Sequence, residues 1–201
     1  MSATIDYFFA PQSPWVYLGH RRFVDLARRA GAAVRVRPMD LGAKVFPVSG
    51  GLPLPQRAPQ RQAYRLVELD RFRRFLGLPM NVKPRFFPVA ADPAARLIVA
   101  TDREQGSAAA LELTGRILTA CWAEERDIAS AETLSALLAE SGLEASLLAA
   151  STTPEVQATY DAHTQAAIEA GVFGAPSYVI DGEIFWGQDR LDFVARRLLQ
   201  G

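Results

Sequence analysis

Ser13 is the residue of this chain best placed to do chemistry. The opening segment, Ile5-Asp6-Tyr7-Phe8-Phe9-Ala10-Pro11-Gln12-Ser13-Pro14-Trp15-Val16-Tyr17-Leu18, runs apolar, breaks at a proline-containing bend and restarts as a helix. Serine is a preferred N-cap and proline a preferred first helical residue, so Ser13 caps the helix and Pro14 opens it. A small hydroxyl then stands where free backbone N–H groups and the positive end of the helix dipole converge. That environment favours an anion, and a thiolate would suit it. The chain brings no thiol there. Its single cysteine, Cys121, sits in an apolar helical stretch and reads as a small buried hydrophobe. Sulfur chemistry at Ser13 therefore needs a sulfur from another molecule.

Two later segments carry further signals. In Gly171-Val172-Phe173-Gly174-Ala175-Pro176-Ser177-Tyr178-Val179, a Gly-x-x-Gly-x-Pro bend feeds directly into a strand. Ala175-Pro176 is a candidate cis peptide there, with an ordinary tight turn as the alternative. In Phe185-Trp186-Gly187-Gln188-Asp189-Arg190-Leu191, a strand ends in glycine and a helix opens with Asp189, which by itself would simply complement the helix dipole. Arg57, Arg61, Arg65, Arg71, Arg73 and Arg74 crowd one segment, interrupted by Glu68 and Asp70. Most of them read as a solvated helix face with a few ion pairs, Arg61 excepted. His20 and His163 read as structural, and neither has the spacing of a metal ligand. Trp15, Tyr17, Phe46, Phe86, Phe87 and Trp186 could wall a pocket, although core packing explains each as well.

The elements that must hold these residues follow from periodicity. Residues 4–10 read as a buried strand and 14–30 as a helix, with Trp15, Leu18, Leu26, Ala27 and Ala30 on its core stripe and Gly31 closing it. Residues 34–38 alternate as a second strand, which makes 4–38 a βαβ unit. Residues 39–60, rich in Gly and Pro, show no regular pattern and form a long loop of the kind that is usually functional or mobile. Helices are predicted over 61–76, 93–105, 107–126, 131–140, 143–150 and 154–170. Strands return at 177–180 and 183–186 around the Asp181-Gly182 turn, and a helix over 189–199 closes the chain. The two ends should share one sheet, with the helices inserted between them.

The 201 residues, 49% of them hydrophobic, suffice for one large domain. Charge is balanced at 22 basic and 22 acidic residues, which gives no electrostatic footprint for nucleic acid. One cysteine cannot form an internal disulfide, no run approaches a membrane span, and the start lacks the features of a signal peptide. The expectation is a cytoplasmic protein without membrane or nucleic-acid partners and without a metal.

Taken together, Ser13-Pro14-Trp15-x-Tyr17-Leu18, Pro79-Met80, the 171–176 bend and Phe185-Trp-Gly-Gln-Asp-Arg-Leu191 resemble the 2-hydroxychromene-2-carboxylate isomerases. These are a branch of the DsbA-like thioredoxin superfamily related to kappa-class glutathione transferases. The resemblance covers essentially the whole chain. It implies an α/β fold, a thioredoxin-like (DsbA-like) sheet with a large all-helical insertion: a discontinuous domain from 1–40 and 172–201, and an insertion at 41–171 with a Gly/Pro-rich entry loop. It also implies a homodimer, glutathione as cofactor and a small aromatic substrate.

In such proteins the first cysteine of a C-x-x-C motif occupies the place that Ser13 holds here. The resemblance makes Ser13 the residue whose hydroxyl donates to the glutathione sulfur. It assigns the backbone of Ala175, before Pro176, to the cysteinyl part of glutathione. Gln188 and Asp189 fall to the γ-glutamyl end, and Arg190 also matches a family position. Two positions depart from the pattern: Gly50-Gly51 stands where relatives have Gly-Asn, and Arg61 where they have Lys. The implied activity interconverts 2-hydroxychromene-2-carboxylate and trans-o-hydroxybenzylidenepyruvate. A kappa-like transferase or peroxidase, and a non-catalytic glutathione- or peptide-binding protein, are the alternatives.

Overall fold

The structure, a computed structural model, describes residues 3–199. Its centre is the apolar strand β1 (Thr4–Phe9), with Ile5, Tyr7 and Phe9 fully buried. Helix α1 (Pro14–Arg29) crosses over to β2 (Ala33–Pro38), which pairs parallel to β1 with Ile5 opposite Val34 and Tyr7 opposite Val36. After the helical passage, β3 (Ser177–Ile180) pairs antiparallel on the other side of β1, with Tyr7 opposite Tyr178, and β4 (Glu183–Trp186) completes the order β2-β1-β3-β4. The β3–β4 turn has both Asp181 (φ 49°) and Gly182 (φ 83°) left-handed, the geometry an Asp-Gly pair favours. Both ends of the chain thus share one sheet, as the strand signals predict.

The intervening residues form α2 (Phe46–Ser49), α3 (Pro59–Leu76), α4 (Asp92–Gln105), α5 (Ser107–Trp122), α6 (Ala131–Glu140), α7 (Ser146–Ala150) and α8 (Pro154–Glu169), and α9 (Leu191–Leu199) closes the chain. Helices α4, α5 and α8 pack against β2. One continuous core joins sheet residues such as Ile5 and Phe9 to Leu97, Ile117 and Trp122 from these helices.

Several boundaries differ from the periodicity for local reasons. The 39–60 segment is not wholly irregular: it holds a π-helical turn (Leu41–Val45), α2, and a 3-10 turn (Leu54–Gln56). Its prolines and glycines keep each of these to a single turn. Helix α5 stops at Trp122 instead of 126, because Glu125 turns left-handed (φ 54°) and the Arg126 N–H bonds back to the Ala120 carbonyl at 2.8 Å. The final helix is preceded by a separate 3-10 turn, Gln188–Arg190. The buried face of α1 is Val16, Tyr17, Leu18, His20, Phe23 and Ala27, while Trp15 and Leu26 are half-buried and Ala30 is exposed. That face is wider than a single stripe because α1 contacts α3, α5, α9 and the 188–190 turn together.

His20 is structural, as its context in α1 predicts. Its Nε2 lies 2.9 Å from the Leu111 carbonyl oxygen, which can only accept, so Nε2 carries the proton. Nδ1 then accepts from the Tyr7 hydroxyl at 3.1 Å. Burial pushes the imidazole pKa down to about 4, against a weaker opposing effect of the Leu111 bond. Between about pH 6.5 and pH 4 the unfolded chain therefore binds a proton that the folded chain refuses. Stability falls as pH drops through that window, by about 2 kcal/mol from this residue at pH 5. A His20→Gln variant, measured by denaturant unfolding from pH 7 to pH 4, should show a shallower acid loss than the parent. Parallel curves would remove His20 from this role.

No helix of the described residues is long and apolar enough to cross a membrane.

Candidate active site

The start of α1 opens into a cleft of about 1090 Å³, walled by the 41–55 segment, the first turns of α3, the 173–175 bend, Phe87 and Trp186. Ser13 lies on its wall as the N-cap of α1. Its backbone is extended (φ −77°, ψ 126°), and its Oγ accepts from the Val16 N–H at 3.4 Å. That bond is long, and accepting it leaves the hydroxyl proton free to donate. The first turn of α1 holds no acidic side chain, so the positive helix end is not neutralised from within its own turn.

The 171–176 bend brings backbone to the same cleft. Ala175-Pro176 is cis. The Ser177 hydroxyl donates to the Gly174 carbonyl at 2.9 Å, and the Gly187 N–H donates to the Pro176 carbonyl at 2.9 Å, which fixes the bend on both sides. Among the described residues no backbone hydrogen bond engages the N–H or C=O of Ala175, so a short edge stays open beside Ser13's cleft. A side chain at position 174 would run into the Trp186 indole. Trp186 and Phe173, packed edge to face at 4.8 Å, form the exposed lip above it.

The next turn holds Gln188, Asp189 and Arg190, none of which lines the cleft. Gln188 is buried, and both its backbone carbonyl (3.0 Å) and its side-chain Oε1 accept from Arg22 of α1. Its side chain therefore faces the fold. Asp189 pairs with Arg190 at 2.9 Å, both side chains being largely exposed. The structure thus gathers Ser13, Arg61 and Ala175 around one cleft, keeps Pro176 in the bend next to Ala175, and leaves residues 188–190 outside the cleft lining.

Of the aromatic residues that could wall a pocket, Trp15, Phe46, Phe87 and Trp186 line the cleft. Tyr17 instead donates its hydroxyl to the Pro79 carbonyl, and Phe86 lies outside. Tyr64, exposed on α3, also lines the cleft. The Gly50-Gly51 departure has a physical reason: a Cβ at Gly51 would overlap the Phe46 ring. The aromatic ring fills the space a side chain at 51 would need.

The arginine-rich segment divides in two. Arg71 pairs with Glu68, while Arg73 and Arg74 hold Asp70 at 2.7 and 2.8 Å, the solvated ion pairs read from the sequence. Arg57 and Arg65 do not belong to that face; they line the cleft with Arg61. Arg57 Nε donates to the Leu52 carbonyl at 2.8 Å. Arg65 lies over the rings of Phe87 (5.2 Å) and Trp122 (5.9 Å), and burial, followed by the repulsion of Arg57, pushes its pKa down to about 10. Arg61 and Arg65, four positions apart on α3, share one face by helical spacing, whereas Arg57 precedes the helix in extended backbone and has no such signal. Cys121 takes no part: burial and the nearby Asp127 push its thiol up to about 12, far from a reactive thiolate.

Known proteins share the length and fold of this chain. The chain is 29% identical over 200 residues to the 2-hydroxychromene-2-carboxylate isomerase of Sphingobium xenophagum, covering 99% of this chain and 100% of that one. It is 26% identical over 210 residues to the glutathione S-transferase kappa 1 of Homo sapiens, covering 97% and 90% respectively. A solved structure of a 2-hydroxychromene-2-carboxylate isomerase superposes with a TM-score of 0.81 at 24% identity, over 98% of this chain and 95% of the other. The model of the DSBA-like thioredoxin domain matches residues 4–199. That match runs from the first residue of β1 to the last of α9, and this chain belongs to the DSBA-like thioredoxin domain family.

Proposed function

We propose that this protein is a glutathione-dependent isomerase interconverting 2-hydroxychromene-2-carboxylate and trans-o-hydroxybenzylidenepyruvate. The observation that carries the reading is a serine hydroxyl at an open helix N-terminus, in the same cleft as an unpaired backbone edge at Ala175. The residues present fit glutathione. The Ala175 edge suits the peptide backbone of its cysteinyl residue, a contact of the strand-addition kind. Arg61 supplies a cation for a terminal carboxylate, and the exposed Asp189 carboxylate suits the γ-glutamyl ammonium. Gln188 contributes through its backbone N–H, since its carbonyl and its side chain are both taken by Arg22, and Arg190 orients Asp189. Pro176 sets the path of the bend that presents Ala175.

When bound, glutathione supplies a nucleophilic sulfur that adds to the unsaturated acid and departs again, allowing a bond to rotate in between. Ser13 holds that sulfur in its charged form, because donation from Oγ and the helix N-terminus both favour a thiolate over a thiol. Trp15, Tyr64 and Phe87 offer an apolar wall for the aromatic ring. The chain works as a homodimer in the cytoplasm on this reading.

The test is the absorbance change of 2-hydroxychromene-2-carboxylate with purified protein, with and without glutathione. Conversion to the open ketoacid only when glutathione is present is the expected result. Conjugation of electrophiles without that conversion would move the reading to a kappa-like transferase, which the human relative favours. Glutathione binding with neither activity would leave a binding protein.

A further inference from the structure

One guanidinium ties the 188–190 turn to α1. Arg22 Nη2 donates to the Gln188 backbone carbonyl at 3.0 Å and to the Gln188 side-chain Oε1, while its third neighbour, the Leu18 carbonyl, is more distant at 3.4 Å. Nη2 carries two protons, so both of its close bonds go to a single residue 166 positions away. Gly19, three residues earlier on the same face of α1, lets the turn come this near: a Cβ there would stand 2.7 Å from the Gln188 Cβ.

Apolar packing would join α1 to the turn at less cost. Arg22 is half-buried, and none of the ion pairs among the described residues includes it. Its Nε is buried with no hydrogen-bond partner, as is the nearby Tyr178 hydroxyl. Burial pulls the Arg22 pKa down, against the attraction of Tyr178, Asp192 and Asp189. A leucine or methionine could fill the space without withdrawing a charge from water or leaving Nε unpaired. What the arginine adds is its double hold on Gln188.

That hold sets the direction of a peptide. The Gln188-Asp189 bond is trans, since the cis bonds of the described residues are Phe87-Pro88 and Ala175-Pro176. The carbonyl and N–H of a trans peptide point in opposite directions, so fixing the Gln188 carbonyl on Arg22 turns the Asp189 N–H away from that guanidinium. Among the described residues no backbone hydrogen bond engages the N–H of Gln188 or of Asp189, and the Asp189 carboxylate beside them is largely exposed. We propose that Arg22 is a positioning residue for glutathione: its two bonds to Gln188 hold the turn in the orientation that offers these N–H groups and the Asp189 carboxylate to the γ-glutamyl end. Arg22 lies outside the cleft lining and acts through Gln188. This role deepens the proposed function by naming what sets the γ-glutamyl contacts, and it rests on that reading.

Calorimetric titration with two peptides tests it: glutathione, and cysteinylglycine, which lacks the γ-glutamyl residue. The parent should bind glutathione about tenfold or more tightly than cysteinylglycine. Arg22→Met keeps an apolar stem and removes the donors. It should cut that ratio to about threefold or less and leave the affinity for cysteinylglycine unchanged. Arg22→Lys keeps the charge and can still donate to the carbonyl, but it loses the planar fork, so it should fall between the two. A thermal melt checks that each variant is folded, and if Arg22→Met is not, a lowered ratio in folded Arg22→Lys supports the role and an unchanged one ends it. A ratio unchanged in Arg22→Met would overturn the role. So would equal losses for both peptides, because a purely structural residue weakens the two together. A parent that binds both peptides equally would sink this inference alone and leave glutathione as a ligand. A parent that binds neither would sink the proposed function, and this inference with it.

Discussion

Ser13→Ala should lower kcat by about 10²–10³-fold at saturating glutathione, the range expected when a single donor to a developing or held negative charge is lost from a preorganised site. The Oγ of Ser13 has one weak structural duty, accepting from Val16 N–H at 3.4 Å, and its proton is free for the ligand. Alanine removes the donor and leaves the helix end. The thiol pKa of bound glutathione should therefore rise in the variant but stay below its value in free solution. The loss of the cap adds a stability cost of about 1 kcal/mol, which a melt would report separately. Ser13→Thr keeps both hydroxyl and cap and should retain most of the activity. Thiolate absorbance followed against pH, together with kcat, reads both effects. An unchanged kcat for Ser13→Ala would end the proposed role.

The second large effect concerns Gly19, in the middle of α1 and outside the lining of the cleft. In an ordinary exposed helix position, alanine for glycine stabilises by about 1 kcal/mol. Here the sign should reverse. A Cβ at position 19 would sit 2.7 Å from the Gln188 Cβ, with Gln188 Cα and the Tyr178 hydroxyl each at 3.3 Å. The first contact is with a side-chain stem rigidly attached to the backbone, in a part of the fold where Gln188 and Tyr178 are both buried. Overpacking of this kind costs about 1–3 kcal/mol, and it should push the 188–190 turn away from α1. For a chain of this size that corresponds to a fall in Tm of about 2–4 °C per kcal/mol. If the turn holds the γ-glutamyl end, Gly19→Ala should also raise the KM for glutathione more than it lowers kcat. A variant as stable as the parent would show that α1 and the turn do not meet as closely as described.

Local chemistry made much of this protein legible. Ser13-Pro14 announced the start of α1, and alternation and burial marked β1 and β2. Asp181-Gly182 specified a two-residue hairpin whose left-handed angles the structure shows. That both ends share one sheet could be inferred as well from strand signals at the two ends with helices between them, whereas the order β2-β1-β3-β4 came from the structure. These features depend on residues within a few positions of one another, and their physics is short-range: caps, periodicity and turn geometry.

Other features had no local signature. The pairing of Glu68 and Asp70 with neighbouring arginines is written in their spacing, but nothing near Arg65 in the chain says that Phe87 and Trp122 will cover it. Gln188 matches a ligand-binding pattern, and the side chain is nonetheless held by Arg22, 166 positions away. Trp15 and Tyr17 are both aromatic members of α1, yet only Trp15 faces the cleft, because α1 is covered by several elements whose positions the helix itself does not encode. By itself the sequence determined the four strands and the longer helices, the open helix end at Ser13 and the absence of a thiol there. Only the tertiary structure decided which charges face the cleft and which side chains are already engaged, because burial and long-range contacts, not neighbours in the chain, set the environment of each group.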